Sequence, residues 1–291
     1  MQISIKDLTQ VYPNKHKALD SINLEISDGL FGLLGPNGAG KSTLMRILVT
    51  LMKPTSGLVL INGEDLQKNR KKIRSMLGYL PQEFSTFPKI KTWEFLDYSA
   101  RLAGIKNKNT RLQKIDQLLE RVGLFDAREK LANKLSGGMK RRVGIAQALI
   151  GDPKILIVDE PTTGLDPEER IRFRNLLTEM SKEERVIILS THIVGDISST
   201  CKDMALLRNG RLAFNASPES LIEQARPYTF QLEVDDAQLE MVKQKYIVIS
   251  TVPVAQGWQV DVVAKEVNGY NKKQIEPNLE HSYVCFMELL Q

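Results

Sequence analysis

The sequence predicts an α/β fold in which a parallel β-sheet core carries an inserted helical subdomain and a small C-terminal α+β appendage. Two observations predict the core. Continuous apolar runs at residues 30–34 and 155–158 are typical of parallel strands buried on both faces. Polar or glycine-rich segments and helical patterns follow these runs, and such alternation is typical of a parallel sheet covered by helices.

The elements follow in order along the chain. A strand-rich start to about Leu60 leads to an apolar strand ending at Leu80, and residues 92–150 predict a long helical stretch that forms the inserted subdomain. Strands and helices then alternate to about Gln224. Arg226 and Pro227 mark a predicted boundary between a main domain, 1–225, and an appendage, 226–291, with strands at 229–234, 246–252 and 258–263 and a helix at 279–290.

A phosphate-binding loop is predicted directly after the first apolar run. It matches the pattern G-x-x-x-x-G-K-[S/T] and consists of Gly35, Pro36, Asn37, Gly38, Ala39, Gly40, Lys41, Ser42 and Thr43. The glycines let successive N–H groups point at phosphate oxygens, Lys41 brings positive charge to the β- and γ-phosphates, and Ser42 offers a hydroxyl to Mg²⁺. A helical pattern follows until Pro54, as the motif requires. The sequence therefore predicts a P-loop NTPase core that binds a nucleoside triphosphate with Mg²⁺.

Two carboxylates, Asp159 and Glu160, follow the second apolar run. At the carboxyl end of a parallel strand, Asp159 can serve the Mg²⁺ shell and Glu160 can reach an attacking water. An acidic pair that caps a helix is the alternative. The phosphate loop elsewhere in the chain favours the catalytic interpretation.

Ser136, Gly137 and Gly138 precede an apolar helical pattern, so the helix N-terminus and the Ser136 hydroxyl predict an anion site. An ordinary capped helix would explain the serine. It would not explain two consecutive glycines beside Lys140, Arg141 and Arg142.

Four motifs occur in a fixed order: the phosphate loop, L-S-G-G-M at 135–139, I-L-I-V-D-E at 155–160 and S-T-H ending at His192. Together they resemble the nucleotide-binding subunits of ABC transporters. The resemblance covers about residues 1–225. It is strongest to the stand-alone ATPases of bacterial drug and antibiotic exporters, which often carry L-S-G-G-M-K-R-R, as residues 135–142 do here. Met139 stands where glutamine is commoner in the family as a whole.

The resemblance implies an ABC ATPase fold, ATP as the nucleotide and a role for each matching residue. Tyr12 would stack on adenine, Gln82 would touch Mg²⁺ or the attacking water, and Glu160 would be the general base. His192 would contact the γ-phosphate. Asp166 would cross a dimer interface, in which Ser136, Gly137 and Gly138 face the γ-phosphate held by the other subunit. Without the family, Tyr12 would be an ordinary surface or core aromatic, and the lone histidines His16 and His281 are interpreted as incidental.

The resemblance also implies partners. We expect a two-fold ATPase dimer, a homodimer with a heterodimer left open, that binds integral-membrane permease subunits through residues 92–150 and Gln82. The segments 135–142 and 277–283 favour export. The chain has no apolar run of membrane-spanning length and no charged-then-apolar leader. We therefore expect a cytoplasmic protein, peripheral on the inner face of the cell membrane.

Composition bears on the alternatives. The formal charge is +5 and the pI is near 9.0, with basic clusters at 68–74 and 106–111 that we interpret as solvated faces rather than a nucleic-acid surface. Cys201 and Cys285 are expected to be reduced thiols.

A non-transport ABC ATPase acting on nucleic acid or the ribosome is the alternative function. DNA-repair and chromosome-structuring members normally carry a long coiled coil between the phosphate loop and the acidic strand motif, and the stretch between Thr43 and Ile155 leaves no room for one. Translation factors of this superfamily carry two cassettes in tandem, and this chain has one.

Overall fold

The computed structural model describes residues 1–198 and 200–290. The chain forms two compact units, Met1–Asn215 and Ala216–Gln291. The strands are β1 (Gln2–Val11), β2 (Lys17–Ser27), β3 (Gly29–Leu34), β4 (Ser56–Ile61), β5 (Glu64–Asp65), β6 (Leu77–Leu80), β7 (Ile155–Asp159), β8 (Val186–Thr191), β9 (Asp203–Arg208), β10 (Arg211–Ala216), β11 (Thr229–Val234), β12 (Ile247–Val254), β13 (Gly257–Val263) and β14 (Asn271–Gln274). The α-helices are α1 (Lys41–Leu48), α2 (Arg70–Arg74), α3 (Thr92–Leu102), α4 (Lys108–Arg121), α5 (Gly137–Leu149), α6 (Pro167–Met180), α7 (Val194–Ser198), α8 (Pro218–Ala225), α9 (Asp236–Lys245) and α10 (Leu279–Glu288).

The first unit contains the predicted parallel sheet. Its six strands lie in the order β10-β9-β3-β8-β7-β6, and the pairs β9–β3, β3–β8, β8–β7 and β7–β6 are parallel. Every residue of β7 and β8 is buried, as the apolar runs predict for strands covered on both faces. The prediction of an α/β core with a parallel sheet is confirmed.

A second sheet of the first unit is antiparallel and has the order β2-β1-β4-β5. Helix α1 joins it to the parallel sheet, because Leu44, Ile47 and Leu48 belong to one buried cluster with residues of both sheets. On the antiparallel side these include Ile3 and Ile26; the parallel strands add Leu33, Ile155, Ile157, Ile188 and Leu207. The helix that begins at the phosphate loop is thus held by the main core.

The inserted subdomain predicted for residues 92–150 is helical and consists of separate helices, α3, α4 and α5. Helices α3 and α4 are each followed one residue beyond the cap by a glycine with positive φ, Gly104 at 85° and Gly123 at 64°, and such a residue ends a helix. Short 3-10 turns, Phe125–Ala127 and Ala132–Lys134, then lead to α5. The three helices pack on one another.

The second unit contains an antiparallel sheet of order β12-β13-β11-β14. One cluster, with Leu232 and Val260 of the sheet, includes Leu239 and Val242 of α9. In another, Ala225 of α8 packs with Val263 and Cys285 of α10. Because α8 packs on α10, it groups with the second unit, so the contacts divide the chain before α8, whereas the boundary predicted from Arg226 and Pro227 follows it. Within 1–198 and 200–290, no helix is both long and apolar enough to cross a membrane.

Candidate functional site

The polar segments of the four motif-bearing strands meet at one edge of the parallel sheet. Strand β3 ends at Leu34, before the phosphate loop, and its neighbour β8 ends at Thr191, which pairs with Leu34. Strand β7 ends at Asp159, which pairs with Ser190. Strand β6 ends at Leu80, two residues before Gln82. Since parallel strands bring their carboxyl ends to one edge, this topology assembles a ligand site from segments distant in sequence.

The phosphate loop turns into α1 at Gly40, which has φ 105°. A Cβ atom at this position would lie 2.4 Å from the carbonyl oxygen of Ala18, so only glycine fits here. Lys41 follows directly and donates from Nζ to the carbonyl oxygens of Gly35 at 2.7 Å and Pro36 at 3.2 Å. The lysine is therefore folded over its own loop, with its charged end inside the turn.

A cavity of about 360 Å³ lies above this loop. It is lined by Tyr12, His16, Ala18, Asn37, Gly38, Gly40, Lys41, Ser42, Thr43, Gln82 and Glu160. The N-terminus of α1, the Lys41 ammonium and the glycine backbone supply N–H donors and positive charge, as a polyphosphate requires. The donor set therefore fits ATP. The lining includes nine of the predicted site residues: Tyr12, Asn37, Gly38, Gly40, Lys41, Ser42, Thr43, Gln82 and Glu160.

Glu160 is the centre of the polar contacts in this cavity. It is 5% exposed. Its Oε1 lies 3.2 Å from Lys41 Nζ, and its Oε2 lies 3.0 Å from His192 Nδ1 and accepts from Gln82 Nε2 at 3.5 Å. One carboxylate thus joins the lysine, the histidine and the glutamine that three separate motifs predict. A carboxylate beside a histidine and a phosphate loop is placed to accept a proton from a water at the γ-phosphate.

The backbone of Glu160 is in the left-handed region, with φ 44°. Non-glycine residues adopt this conformation at an energetic cost and keep it only where their surroundings hold it. Here the Glu160 N–H donates to both the carbonyl oxygen and the Oγ of Ser190, each at 3.1 Å. The neighbouring strand therefore stabilises the turn that points the carboxylate into the cavity. Sequence reasoning did not assign Ser190 a role.

Asp159 ends β7 and is almost completely buried, and its Oδ1 accepts a short hydrogen bond from Ser190 Oγ. Burial, followed by the charge of Asp159, raises the pKa of Tyr79 to about 12. Asp159 does not line the cavity. Of the residues predicted to hold Mg²⁺, Ser42 and Gln82 face the cavity and offer the hydroxyl and amide oxygens that this ion accepts.

Tyr12 also lines the cavity. Its hydroxyl is 3.1 Å from Thr43 Oγ1, and its backbone N–H donates to the His16 carbonyl oxygen at 2.9 Å. The rings of Tyr12 and His16 are nearly parallel, at 11°, with centroids 6.4 Å apart. His16, which sequence reasoning set aside as incidental, thus lines the cavity. The tight turn between Tyr12 and His16 brings the two rings together, and recognising that turn would have placed His16 beside Tyr12.

Ser136, Gly137, Gly138 and Asp166 lie at the N-termini of α5 and α6. Ser136 caps α5 and accepts the Met139 N–H at 3.2 Å, while Asp166 caps α6 and accepts the Glu169 N–H at 2.8 Å. The two helices meet closely, because a Cβ at Gly138 would lie 2.4 Å from Glu169 Oε2. Neither Ser136, Gly137, Gly138 nor Asp166 lines the cavity of its own phosphate loop.

The fold and this site define a P-loop nucleoside triphosphatase: a phosphate loop between a buried parallel strand and a helix, with a carboxylate and a histidine at the ends of the next strands. Residues 19–163 match the family model described as ABC transporter. The chain is 34% identical over 255 residues to the ABC transporter ATP-binding protein YxlF of Bacillus subtilis, covering 86% of this chain and 82% of that protein.

Two further similarities agree. The bacitracin transport ATP-binding protein BcrA of Bacillus licheniformis is 36% identical over 247 residues, 84% of this chain and 79% of the relative. A dimeric structure of the ATP-binding cassette MJ0796, bound to ADP and Pi, superposes with a TM-score of 0.67 at 26% identity and covers 74% of this chain and 98% of that chain. The chain belongs to the ABC transporter ATP-binding proteins and is an ATPase of that family.

Proposed function

We propose that this ATPase powers a separate integral-membrane permease and that the transporter is an exporter. The observation that carries the proposal is an apolar groove of about 480 Å³ that begins beside Gln82 and runs over the helical subdomain. It is lined by Tyr79, Pro81, Glu83, Phe84, Ser85, Phe87, Phe95, Tyr98, Ser99, Leu102, Gln147 and Ile150. Large apolar patches on a protein surface mark partner sites.

The groove has an aromatic floor and an exposed rim. Phe95 contacts Phe84 edge-on, with ring centroids 5.9 Å apart, and Phe87 contacts Phe95 and Tyr98 at 6.0 and 5.8 Å. Phe87 is 53% and Leu102 is 72% exposed. A segment of the permease that filled this groove would touch the loop carrying Gln82, whose amide contacts Glu160. This arrangement supports a mechanical connection between the partner and the nucleotide cavity.

For the chemistry we propose Glu160 as the general base, His192 as the residue that contacts the γ-phosphate, and Gln82 as a residue that touches Mg²⁺ or the attacking water. When bound, Mg²⁺ would neutralise phosphate charge and would be held by Ser42 and Gln82, the two predicted magnesium ligands that line the cavity. Glu160 would take the proton of the water, and His192, 3.0 Å away, would hold the carboxylate in place. Tyr12 would stack on adenine.

We further propose that two copies work together as a homodimer. Ser136, Gly137 and Gly138 form an N-terminal anion site away from the phosphate loop of their own chain, so a second subunit would supply the phosphate that they contact. The dimeric structure of MJ0796 with ADP and Pi supports this arrangement.

Similarity to a bacitracin transport protein supports export, and the dimer would work on the cytoplasmic face of the membrane. The test is reconstitution in vesicles with the membrane protein encoded beside this chain. ATP-dependent movement of substrate away from the ATPase side supports export. Movement toward the ATPase side overturns the direction, and ATPase activity indifferent to a verified permease complex overturns the role of the groove.

A further inference from the structure

A buried carboxylate outside the motifs links the two chain segments that carry Glu160 and His192. Asp196 belongs to α7 and is 0% exposed. Its Oδ2 accepts a short hydrogen bond from Thr162 Oγ1 and a second from Thr191 Oγ1 at 3.2 Å. Burying a carboxylate is costly unless hydrogen bonds compensate. Here both donors are threonines close to site residues in sequence: Thr191 directly precedes His192, and Thr162 follows Glu160 by two residues.

Each threonine controls the path of the chain around one site residue. Thr191 directly precedes His192, and its Oγ1, besides donating to Asp196, accepts the Ile193 N–H at 2.9 Å. The turn that carries the histidine is therefore closed by this hydroxyl. Thr162 comes two residues after Glu160, and its carbonyl oxygen accepts the Leu165 N–H at 3.1 Å, which forms the turn that leads to Asp166.

The position of Thr162 matters because Glu160 has a strained backbone, with φ 44°. Such a conformation persists only where the residues on both sides hold it. At Glu160 itself, directly after β7, the backbone N–H is held by Ser190 of the neighbouring strand β8. On the other side, the bond from Thr162 to Asp196 fixes the chain two residues on.

We propose that Asp196 is a positioning residue, whose buried carboxylate holds Thr162 and Thr191 together and thereby keeps Glu160 Oε2 within hydrogen-bonding distance of His192 Nδ1. The inference rests on the proposed role of Glu160 as general base. It adds a residue that touches neither nucleotide nor water and acts through the backbone of the two that do. Loss of the tie displaces the carboxylate, and displacements of about 1 Å reduce turnover by about 100-fold.

The first test removes one donor by an isosteric change. Thr162→Val should lower kcat for ATP hydrolysis by about 10- to 100-fold and leave KM for ATP within about twofold, because the phosphate loop is untouched. Asp196→Ala should show the same pattern. Asp196→Asn should retain kcat within about threefold, since the amide oxygen accepts both hydroxyls; among the described residues, Asp196 Oδ1, which the amide nitrogen would replace, has no hydrogen-bond partner.

Thr200→Val is the matched control, because the Thr200 hydroxyl donates to the backbone oxygen of Asp196 and not to its carboxylate. Its kcat should equal that of the unsubstituted protein. If Asp196 only stabilised the fold, these substitutions would all lower the melting temperature and would leave the kcat of the folded protein unchanged. That result overturns the proposal. A large loss of kcat in Asp196→Asn also overturns it.

A double-mutant cycle separates this proposal from the role of Glu160. In a Glu160→Gln background, Thr162→Val should lower kcat no further, because the group that it positions is gone. Multiplicative losses would show that Thr162 and Asp196 act independently of Glu160 and would overturn the proposal. Near-normal hydrolysis by Glu160→Gln alone would instead remove the proposed base. An unchanged kcat in Thr162→Val, with Glu160→Gln inactive, would overturn the positioning role only.

Discussion

Lys41 Nζ lies 3.2 Å from Glu160 Oε1, and both side chains are almost completely buried. The lysine that is proposed to bind the γ-phosphate is therefore paired with the carboxylate that is proposed to activate water. An anionic ligand must share the lysine with Glu160 and accept a negative charge beside it. The negative charge of Glu160 thus has opposite effects on turnover and on binding. Proton transfer requires this charge, whereas the binding of phosphate is weakened by it.

The first prediction follows from this pair. Glu160→Gln should lower ATP turnover by about 10²- to 10⁴-fold, the usual contribution of a positioned general base. It should also tighten the binding of a non-hydrolysable ATP analogue by about tenfold, or about 1.4 kcal/mol, because the neutral amide no longer competes for Lys41. Phosphate release measures the first quantity and calorimetry the second.

Glu184→Gln makes the same charge change at an exposed residue and should alter neither quantity. Weaker binding of the analogue by Glu160→Gln would contradict the competition, and hydrolysis at a normal rate would remove Glu160 from the role of base.

The second prediction concerns the dimer. In the Glu160→Gln background, ATP with Mg²⁺ should double the mass measured by light scattering, and Ser136→Arg should prevent this by placing a bulky side chain in the interface. Because Ser136 also caps α5 through the Met139 N–H, the substitution has a second effect, a cost of about 1 kcal/mol in helix stability. Ser136→Ala has the capping defect and lacks the hydroxyl but adds no bulk. It should still dimerise, because the backbone N–H groups of Gly137 and Gly138 remain at the anion site; equal loss of dimer in both variants would assign the effect to the cap or the hydroxyl rather than to bulk in the interface.

The third prediction tests the groove. Phe87→Glu and Leu102→Glu introduce charge into its exposed rim and should weaken binding to the permease at least about tenfold, while ATPase activity without permease stays within about twofold. Leu51→Glu is the control, since Leu51 is 67% exposed and does not line the groove. Affinity can be measured with the permease in lipid nanodiscs. If all three variants bind equally well, the permease does not occupy this groove.

The local parts of the site could be predicted from sequence. A phosphate loop is continuous in the chain, and the roles predicted for Lys41 and Ser42 rest on spacing alone. The contacts between segments could not. Nothing in the sequence indicates that Glu160 adopts φ 44°, because this conformation depends on Ser190 of the neighbouring strand. His16 was set aside because its place in the cavity depends on the turn after Tyr12.

Helix α9 was missed for a different reason. Its capping box is present in the sequence: Asp235 accepts the Gln238 N–H at 2.8 Å, and Gln238 Oε1 accepts the Asp235 N–H at 3.1 Å. Only two of its residues, Leu239 and Val242, are buried, so its hydrophobic periodicity is weak. A segment with a capping box but without a clear apolar periodicity is easily interpreted as a loop.

The basic run at 106–111 shows how a solvated interpretation can fail. Arg111 is buried, and its Nε donates to Asp97 Oδ1 at 2.6 Å; on the same carboxylate, Oδ2 accepts from Arg101 Nε at 2.7 Å. Burial alone would raise the pKa of Asp97, but the hydrogen bonds from Arg111 and Arg101 outweigh it and hold the pKa below its usual range. The stabilisation is therefore complete above the unfolded pKa of about 4 and is lost as pH falls through the folded pKa.

The last prediction compares the two arginines on this one carboxylate. Arg111→Met should destabilise the helical subdomain by about 3 kcal/mol at pH 7, because it leaves a buried carboxylate without its buried partner. Arg101→Met should cost at most about 1 kcal/mol, since Arg101 is 62% exposed against 6% for Arg111. Without Arg111, burial should raise the pKa of Asp97 above its unfolded value, so the carboxyl takes up a proton and the deficit shrinks between about pH 7 and pH 4. Urea unfolding followed by Trp93 fluorescence in a Trp258→Phe background reports on α3 specifically. Equal losses for the two arginines, or a deficit for Arg111→Met that does not change with pH, would contradict a buried ion pair at this position.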